Sequence, residues 1–359
     1  MESLIAATEN CRYCLMCRHV APVGHVMHDE ALTPHGIALV VASQKRGLLT
    51  WNAESVAILY AEPDAGNCRA HCVTNQPLPA AIAAVRAQVA REGLAPTVAY
   101  ELRDRLREQH SLFGTWQPAS GRSRTVLFVG DEGHNLRPDS TAAALRLLEA
   151  AGIGAIPVGI GLSSGYFASS LGFPALAKSL ASKCLDEIRA AGAGRVLVLS
   201  PQEQFTFRQL YPERLGVAWP DDVELADLST VLTEAVNRRV LNIRSQPSPA
   251  AYVDPSHAVR VPERFDPVRL LCARLLGQPP SELFWRRERA HPVGSTALQF
   301  TRPDIAERLT RARLKDATAR GAVTVICEEP ATLHALEGHA EACGVTVVDL
   351  YQALAGALC

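Results

Sequence analysis

The sequence predicts an α/β fold: a small, mainly helical N-terminal module followed by two duplicated α/β repeats. Three observations carry this. Strand-like runs alternate with helix-like runs from residue 124 onward, the pattern that parallel α/β layers require. The alternation occurs twice, at a constant offset of 129 positions over its best-matched segment. Ahead of it, residues 1–80 hold five of the ten cysteines and five histidines (His19, His25, His28, His35, His71) in short segments broken by Pro and Gly.

Taken in order, the first element is the cysteine run "CRYCLMCRHVAPVG" (11–24). Helical apolar spacing follows through "PLPAAIAAVRAQVAREG" and "YELRDRLREQH", and "FGTWQPASGRSR", rich in Gly, Ser and Pro, reads as a linker. "RTVLFVG" (124–130) is a strand; a helix opens at Pro138 and runs through "TAAALRLLEAAG"; a short strand lies near "GAIPVG"; a helix spans Pro174 to Ala191; and "RVLVLS" (195–200) is a strand. After a second boundary near "RSQPSPAAY" the same order returns. "PALAKSLASKCLDEIRAAGA" (174–193) overlies "PDIAERLTRARLKDATARGA" (303–322), matching Pro174 with Pro303, Leu180 with Leu309, and Gly192-Ala193 with Gly321-Ala322. Helical periodicity explains the leucine matches but not the proline, the Gly-Ala pair or the strand after each. The units expected are 1–110, a linker at 111–123, 124–245 and 246–359.

With 359 residues, 48% hydrophobic and 20% charged, the chain has material for a large core. Its 36 basic and 37 acidic side chains form no long run of one sign, so nucleic acid and anionic membrane are not expected partners. No window of about 18 apolar residues suggests a transmembrane segment. The N-terminus "MESLIAATENCRYC" lacks a signal-peptide pattern, so the chain reads as cytoplasmic. In such a chain clustered cysteines point to metal, while Cys184, Cys272, Cys327, Cys343 and Cys359 have no metal spacing.

In bacterial two-cluster ferredoxins the run C-x2-C-x2-C-x3-C-P gives three ligands to one 4Fe-4S cluster, and its fourth cysteine reaches the other. Cys11, Cys14 and Cys17 fit, and Ala21 with Pro22 stands where the fourth cysteine and its proline belong. The crossing supplies the missing ligand: read backwards from Cys72 at the same spacing, the second motif gives Cys68, Ala65 and Glu62. One cluster therefore keeps Cys11, Cys14, Cys17 and Cys72. The other would have used Ala21, Glu62, Ala65 and Cys68, so three of its four ligands are gone. One 4Fe-4S cluster and one vacated site are expected, with Cys68 either a remnant or an exchange ligand. Structural zinc and unliganded thiols are the alternatives, but zinc sites generally use paired C-x2-C knuckles. His19, His71 and Pro22 are expected around the cluster, the histidines tuning sulfur or taking up protons at a quinone; surface or capping roles are the plainer reading.

With these motifs the chain resembles the iron–sulfur subunits of the heterodisulfide reductase type, including those of anaerobic glycerol-3-phosphate dehydrogenase and glycolate oxidase. That family joins a ferredoxin-like module to two "CCG" domains, and the resemblance extends to "YVDPSHAVR" for its D-P-C-H segment. Departures are as informative. Ser163 and Ser164 replace the paired cysteines of the first repeat, and Ser200-Pro201-Gln202-Glu203 its C-P-x-C. In the second repeat Pro292 and Val293 precede Gly294, Glu329-Pro330-Ala331-Thr332 replaces C-P-x-C, and Ser256 stands for the D-P-C-H cysteine. The repeats read as degenerate CCG domains without a second cofactor.

The resemblance implies an electron-transfer subunit, not an enzyme by itself. Single electrons would pass from a flavin-containing dehydrogenase subunit to an electron-transferring flavoprotein or quinone, with the complex peripheral on the inner face of the membrane through partners. The rival class is a structural adaptor whose cluster or zinc staples the module. Two further patterns are weak. "VGIGLSSGYF" lacks an ordered nucleotide-binding G-x-G-x-x-G after a clear strand, and no G-x-S-x-G elbow supports a hydrolase triad of Ser163 or Ser164 with His257.

Overall fold

A computed structural model describes residues 5–6, 8–11 and 14–359. Residues 1–4 and 7, part of the stretch read for a signal peptide, and 12–13, within the cysteine run, lie outside the described residues. The N-terminal region is helical: α1 (Pro22–Met27), α2 (Pro34–Lys45), α3 (Ala53–Tyr60), α4 (Asn67–Ala70), α5 (Leu78–Arg91) and α6 (Thr97–Gln109). Local chemistry sets the starts. Thr33 caps α2 by accepting from the Gly36 N–H, with Pro34 in the first turn, and Asn52 and Ser55 form a reciprocal capping box on α3.

Next comes the first α/β unit: β1 (Thr125–Val129), α7 (Pro138–Ala150), β2 (Ala155–Ile160), α8 (Pro174–Ala190), β3 (Arg195–Val198), β4 (Glu224–Asp227) and α9 (Leu228–Asn237). The second has β5 (Ala250–Tyr252), α10 (Phe265–Leu276), β6 (Ser281–Glu282), α11 (Pro303–Thr318), β7 (Thr324–Cys327), α12 (Pro330–Ala340), β8 (Thr346–Asp349) and α13 (Leu350–Gly356). The pairing is parallel throughout, and the strand orders β2-β1-β3-β4 and β6-β5-β7-β8 are the same order repeated. The fold is therefore α/β with two parallel sheets. Among the described residues no helix is long and apolar enough to cross a membrane.

The repeat holds at the level of single contacts. A Cβ on Gly165 would stand 2.7 Å from the Ala177 carbonyl oxygen, and one on Gly294, 129 positions later, 2.5 Å from that of Ala306. Each glycine lets a strand-to-helix loop press on the following helix. A second alignment, at an offset of 123, sets Asp131-Glu132-Gly133-His134 after β1 against Asp254-Pro255-Ser256-His257 after β5.

Between the sheets lies a shared core of Leu147 and Leu148 (α7), Leu232 (α9), Leu271 and Leu275 (α10) and Leu354 (α13). α7 packs on α13, and α9 on α10. Since α7 and α10 hold one position in the repeat and α9 and α13 another, the halves face each other about an approximate two-fold, each surface meeting its own duplicate. The helical module joins both. Ile82, Val85 and Val89 of α5 share a core with Phe167 and Leu171, while Val23 and Leu32 pack with Ile305 and Leu309 of α11.

The stretch expected as a linker, 111–123, is seated on the first unit. Ser111 donates to Asp131 (2.6 Å), the Gln117 N–H bonds to the Ile160 carbonyl on the edge strand β2 (2.9 Å), and Trp116 Nε1 donates to Glu187 (2.6 Å). Its Gly and Ser content marks a chain that covers a sheet edge.

Gly294→Ala is expected to destabilise the protein by roughly 1–3 kcal/mol, because the new methyl meets backbone that cannot move aside. The urea midpoint checks it; an unchanged midpoint would show that the loop does not press on α11.

Candidate metal centre

The cysteine run enters a left-handed turn at Leu15 (φ 64°) and then a 3-10 turn, Arg18–Val20, capped by Cys17. Opposite it, Gly66 (φ 94°) starts α4, which carries Cys68 and leads to Cys72. Two short segments, separated by about fifty positions and held by the packed helices behind them, thus bring their thiols together. Cys11, Cys14, Cys17, Cys68 and Cys72 line a single cleft of about 490 Å³, with Leu15, Met16 and His35 among its other walls. Cys14 is exposed, Cys11, Cys17 and Cys72 are half-buried, and Cys68 is buried.

The surroundings of the sulfurs differ. Burial pushes the Cys17 thiol up to about 11, with Cys11 and Cys72 adding to the rise and the His35 N–H opposing it. Burial also raises Cys72, but hydrogen bonds from the Thr74 hydroxyl (3.5 Å) and the Gln76 N–H (3.3 Å) outweigh it and bring this thiol below its ordinary value. Donors aimed at sulfur and thiols close enough to repel as thiolates are what a shared metal group relieves. Cys11, Cys14, Cys17 and Cys72 are the thiols that a thiolate-bound group in this cleft would draw on. Among the described residues no three His, Cys, Asp or Glu side chains form a group able to hold a single metal ion.

The histidines distribute unevenly. His71, beside Cys72, meets His19 edge-on at 5.4 Å, and burial, then His19 and Arg289, lower its pKa. His19 lines a neighbouring cleft instead of this one, and Pro22, buried in the first turn of α1, does not line it. His35 does. Its ring is fixed by Thr33 Oγ1 (3.0 Å) and Glu30 (3.0 Å), and the Thr-Pro helix start ahead of it was the available signal.

Ala21, Glu62, Ala65 and Cys68, the residues of the second set, are all buried. Beside them lies a knot of charge. Asp64 accepts from both terminal nitrogens of Arg214 (2.9 and 3.0 Å) and from Arg260 (2.6 Å), which also binds the Asp64 carbonyl (2.7 Å). Arg214 belongs to the first α/β unit and Arg260 to the second, so one carboxylate ties three units. Buried Arg86 donates to the carbonyls of Leu59 (3.0 Å), Glu62 (2.6 Å) and Ser170 (2.9 Å), ending α3 and holding this loop. Burial and Asp64 push the Glu62 carboxyl up to about 7, and burial, then Glu62, raises the Cys68 thiol. This setting disfavours thiolate at Cys68.

Ser256, Val293, Glu329 and Thr332 of the second repeat meet at the carboxyl ends of β5 and β7. Ser256 Oγ bonds to Ser295 Oγ (2.7 Å) and the Val293 carbonyl (3.3 Å), Ser295 to Thr332 (3.3 Å), and Thr332 to Glu329. In the first repeat Ser200 donates to Glu203, and Gln202 bridges to Glu132 (2.9 Å). Pro292 belongs to the same loop, and Ser163 and Ser164 enter their region through carbonyls bonded by Cys184 and Tyr211. His257 is buried with both ring nitrogens unpartnered and packs edge-on to Tyr166 at 4.6 Å, and it is not joined to Ser163 or Ser164 in a triad.

Asp64 is the group to test. Burial raises its carboxyl, but Arg214 and Arg260 prevail and hold it down to about 2. With the ordinary value near 3.9, its contribution is complete above that pH and is lost as pH falls toward about 2. Asp64→Asn is expected to cost roughly 3–5 kcal/mol by leaving two buried arginines uncompensated, and to weaken the acid dependence of unfolding below pH 4. Denaturant titrations from pH 2.5 to 7 check both; equal stabilities would remove the knot from the account.

No known family model and no curated protein matches the chain. Its fold is similar to the crystal structure of a hypothetical protein from Helicobacter pylori, at 13% identity and a TM-score of 0.58, covering 90% of this chain and 67% of that one.

Proposed function

We propose that this chain is an iron–sulfur electron-transfer subunit that works beside a flavin-containing dehydrogenase and passes single electrons toward an electron-transferring flavoprotein or quinone. The observation that carries the reading is the convergence of Cys11, Cys14, Cys17 and Cys72 on one cleft from two distant segments. A 4Fe-4S group held by these four would supply one-electron transfer. The flavoprotein partner rests on the family resemblance, as does the ferredoxin-like description of the helical module.

The chain's own residues have assignable parts. The Gln76 and His35 N–H groups and the Thr74 hydroxyl stabilise negative charge on Cys72 and Cys17. Leu15, Met16 and Leu78 supply the apolar part of the lining beside the sulfurs. Around Cys68, burial and Glu62 oppose thiolate, which supports one ligand set over two. A purely architectural cofactor is the weaker reading, since shared cores and the Asp64 knot already hold the module in place.

Single replacements separate the two roles. Cys72→Ser is expected to lose most of the iron and visible absorbance after anaerobic reconstitution, while Cys68→Ser keeps about four irons per chain. Equal loss in both would overturn the ligand assignment, and tightly bound zinc in place of iron would favour the adaptor.

A further inference from the structure

The cysteine-lined cleft has a closed back and an open mouth. Behind it stand buried Cys68 and Glu62 and the Asp64–Arg214–Arg260 knot. Leu15 and Met16, which line the cleft, are 45% and 43% exposed, and Val73, next to Cys72 in the chain, is 70% exposed. Leu15 is also the ridge between this cleft and a wider one of about 1110 Å³ on its other side. Exposed apolar side chains gathered beside a thiol-lined cleft mark a contact surface.

Charge adds the second observation. Arg69, on α4, and Arg289, on the Arg287–Arg289 turn that packs against α4, are both exposed. Arg69 bonds only to Asn75 (3.3 Å), and neither arginine meets a carboxylate among the described residues. Arg18, Arg286 and Arg287 nearby are each paired with one. Arg69 and Arg289 thus stand beside the apolar centre without an ion pair among the described residues, Arg289 with exposed Glu288 next to it, on a chain whose net charge is −1. Apolar contact at the centre supplies area, and unpaired charge at the edge supplies orientation and encounter rate.

We propose that this mouth is the docking face for a redox protein that presents carboxylates around its own redox centre, and that electrons enter and leave on this side alone. The proposal rests on the iron–sulfur reading for what is exchanged, but the face itself is defined by Leu15, Met16, Val73, Arg69 and Arg289. The Asp64 knot occupies the side by which a second cluster would have offered another exit.

Two measurements test it on the full chain. Hexacyanochromate(III), a redox-inert paramagnetic trianion, is expected to broaden the amide resonances of Leu15, Met16, Arg69 and Val73 before others, and to lose this preference in the Arg69→Glu/Arg289→Glu variant. Broadening centred elsewhere would overturn the docking face. For the dithionite-reduced protein, each ferricyanide takes one electron and becomes ferrocyanide, while hexaammineruthenium(III) takes one as a cation. The ratio of the two reoxidation rates is expected to fall roughly tenfold in the double variant at low salt. An unchanged ratio would contradict entry and exit by this side. A protein with no reducible chromophore would sink the iron–sulfur reading, while the chromium map, which needs no electron transfer, would still decide the face.

Discussion

One buried carboxylate holds this architecture together. Asp64 sits in the loop between α3 and α4, the helix that carries Cys68, and its two arginines come from the two halves of the duplicated region. Isolated in the interior, any of these charges would be costly; satisfied by each other and by the Asp64 carbonyl, they fix how three units meet. The wall formed by α4 and Cys72 is therefore positioned by contacts made far outside the cysteine segments.

The duplicated halves carry polar side chains at equivalent strand ends. Serine, threonine and glutamate occupy the corresponding strand ends, and in the second half they bond to one another in a chain from Ser256 to Glu329. Glu329, whose carboxyl burial pushes up to about 8, takes part as a hydroxyl acceptor in a region closed to solvent. Ser256, Ser295 and Thr332 are satisfied by their neighbours, whereas one oxygen of Glu329 is buried without a partner. The two-fold seam of α7, α9, α10 and α13 keeps the halves in register without help from a cofactor.

Much of the fold was legible because it depends on local pattern. Strands at "RTVLFVG" and "RVLVLS" and the helix from Pro174 follow from apolar periodicity and β-branched content, and the offset of 129 reappears in β3 and β7 and in the glycines that touch Ala177 and Ala306. The cysteine gathering was legible because ligand spacing is itself a local code. Other features had no such code. Asp64 pairs with residues 150 and 196 positions away, and lone charges carry no signal at those separations. The 111–123 segment looked like a linker since Gly, Ser and Pro serve an edge-covering chain equally well. His35 was passed over in favour of histidines nearer the cysteines in sequence, although the helix start at Thr33 brings it to the wall.

The central claim, that one set of four thiolates serves electron transfer, is most directly tested by electron paramagnetic resonance of the dithionite-reduced protein with spin quantitation. One reduced 4Fe-4S signal at about one spin per chain is expected, free of the splitting that two neighbouring clusters produce. Two interacting signals, or a silent protein that contains zinc, would contradict it.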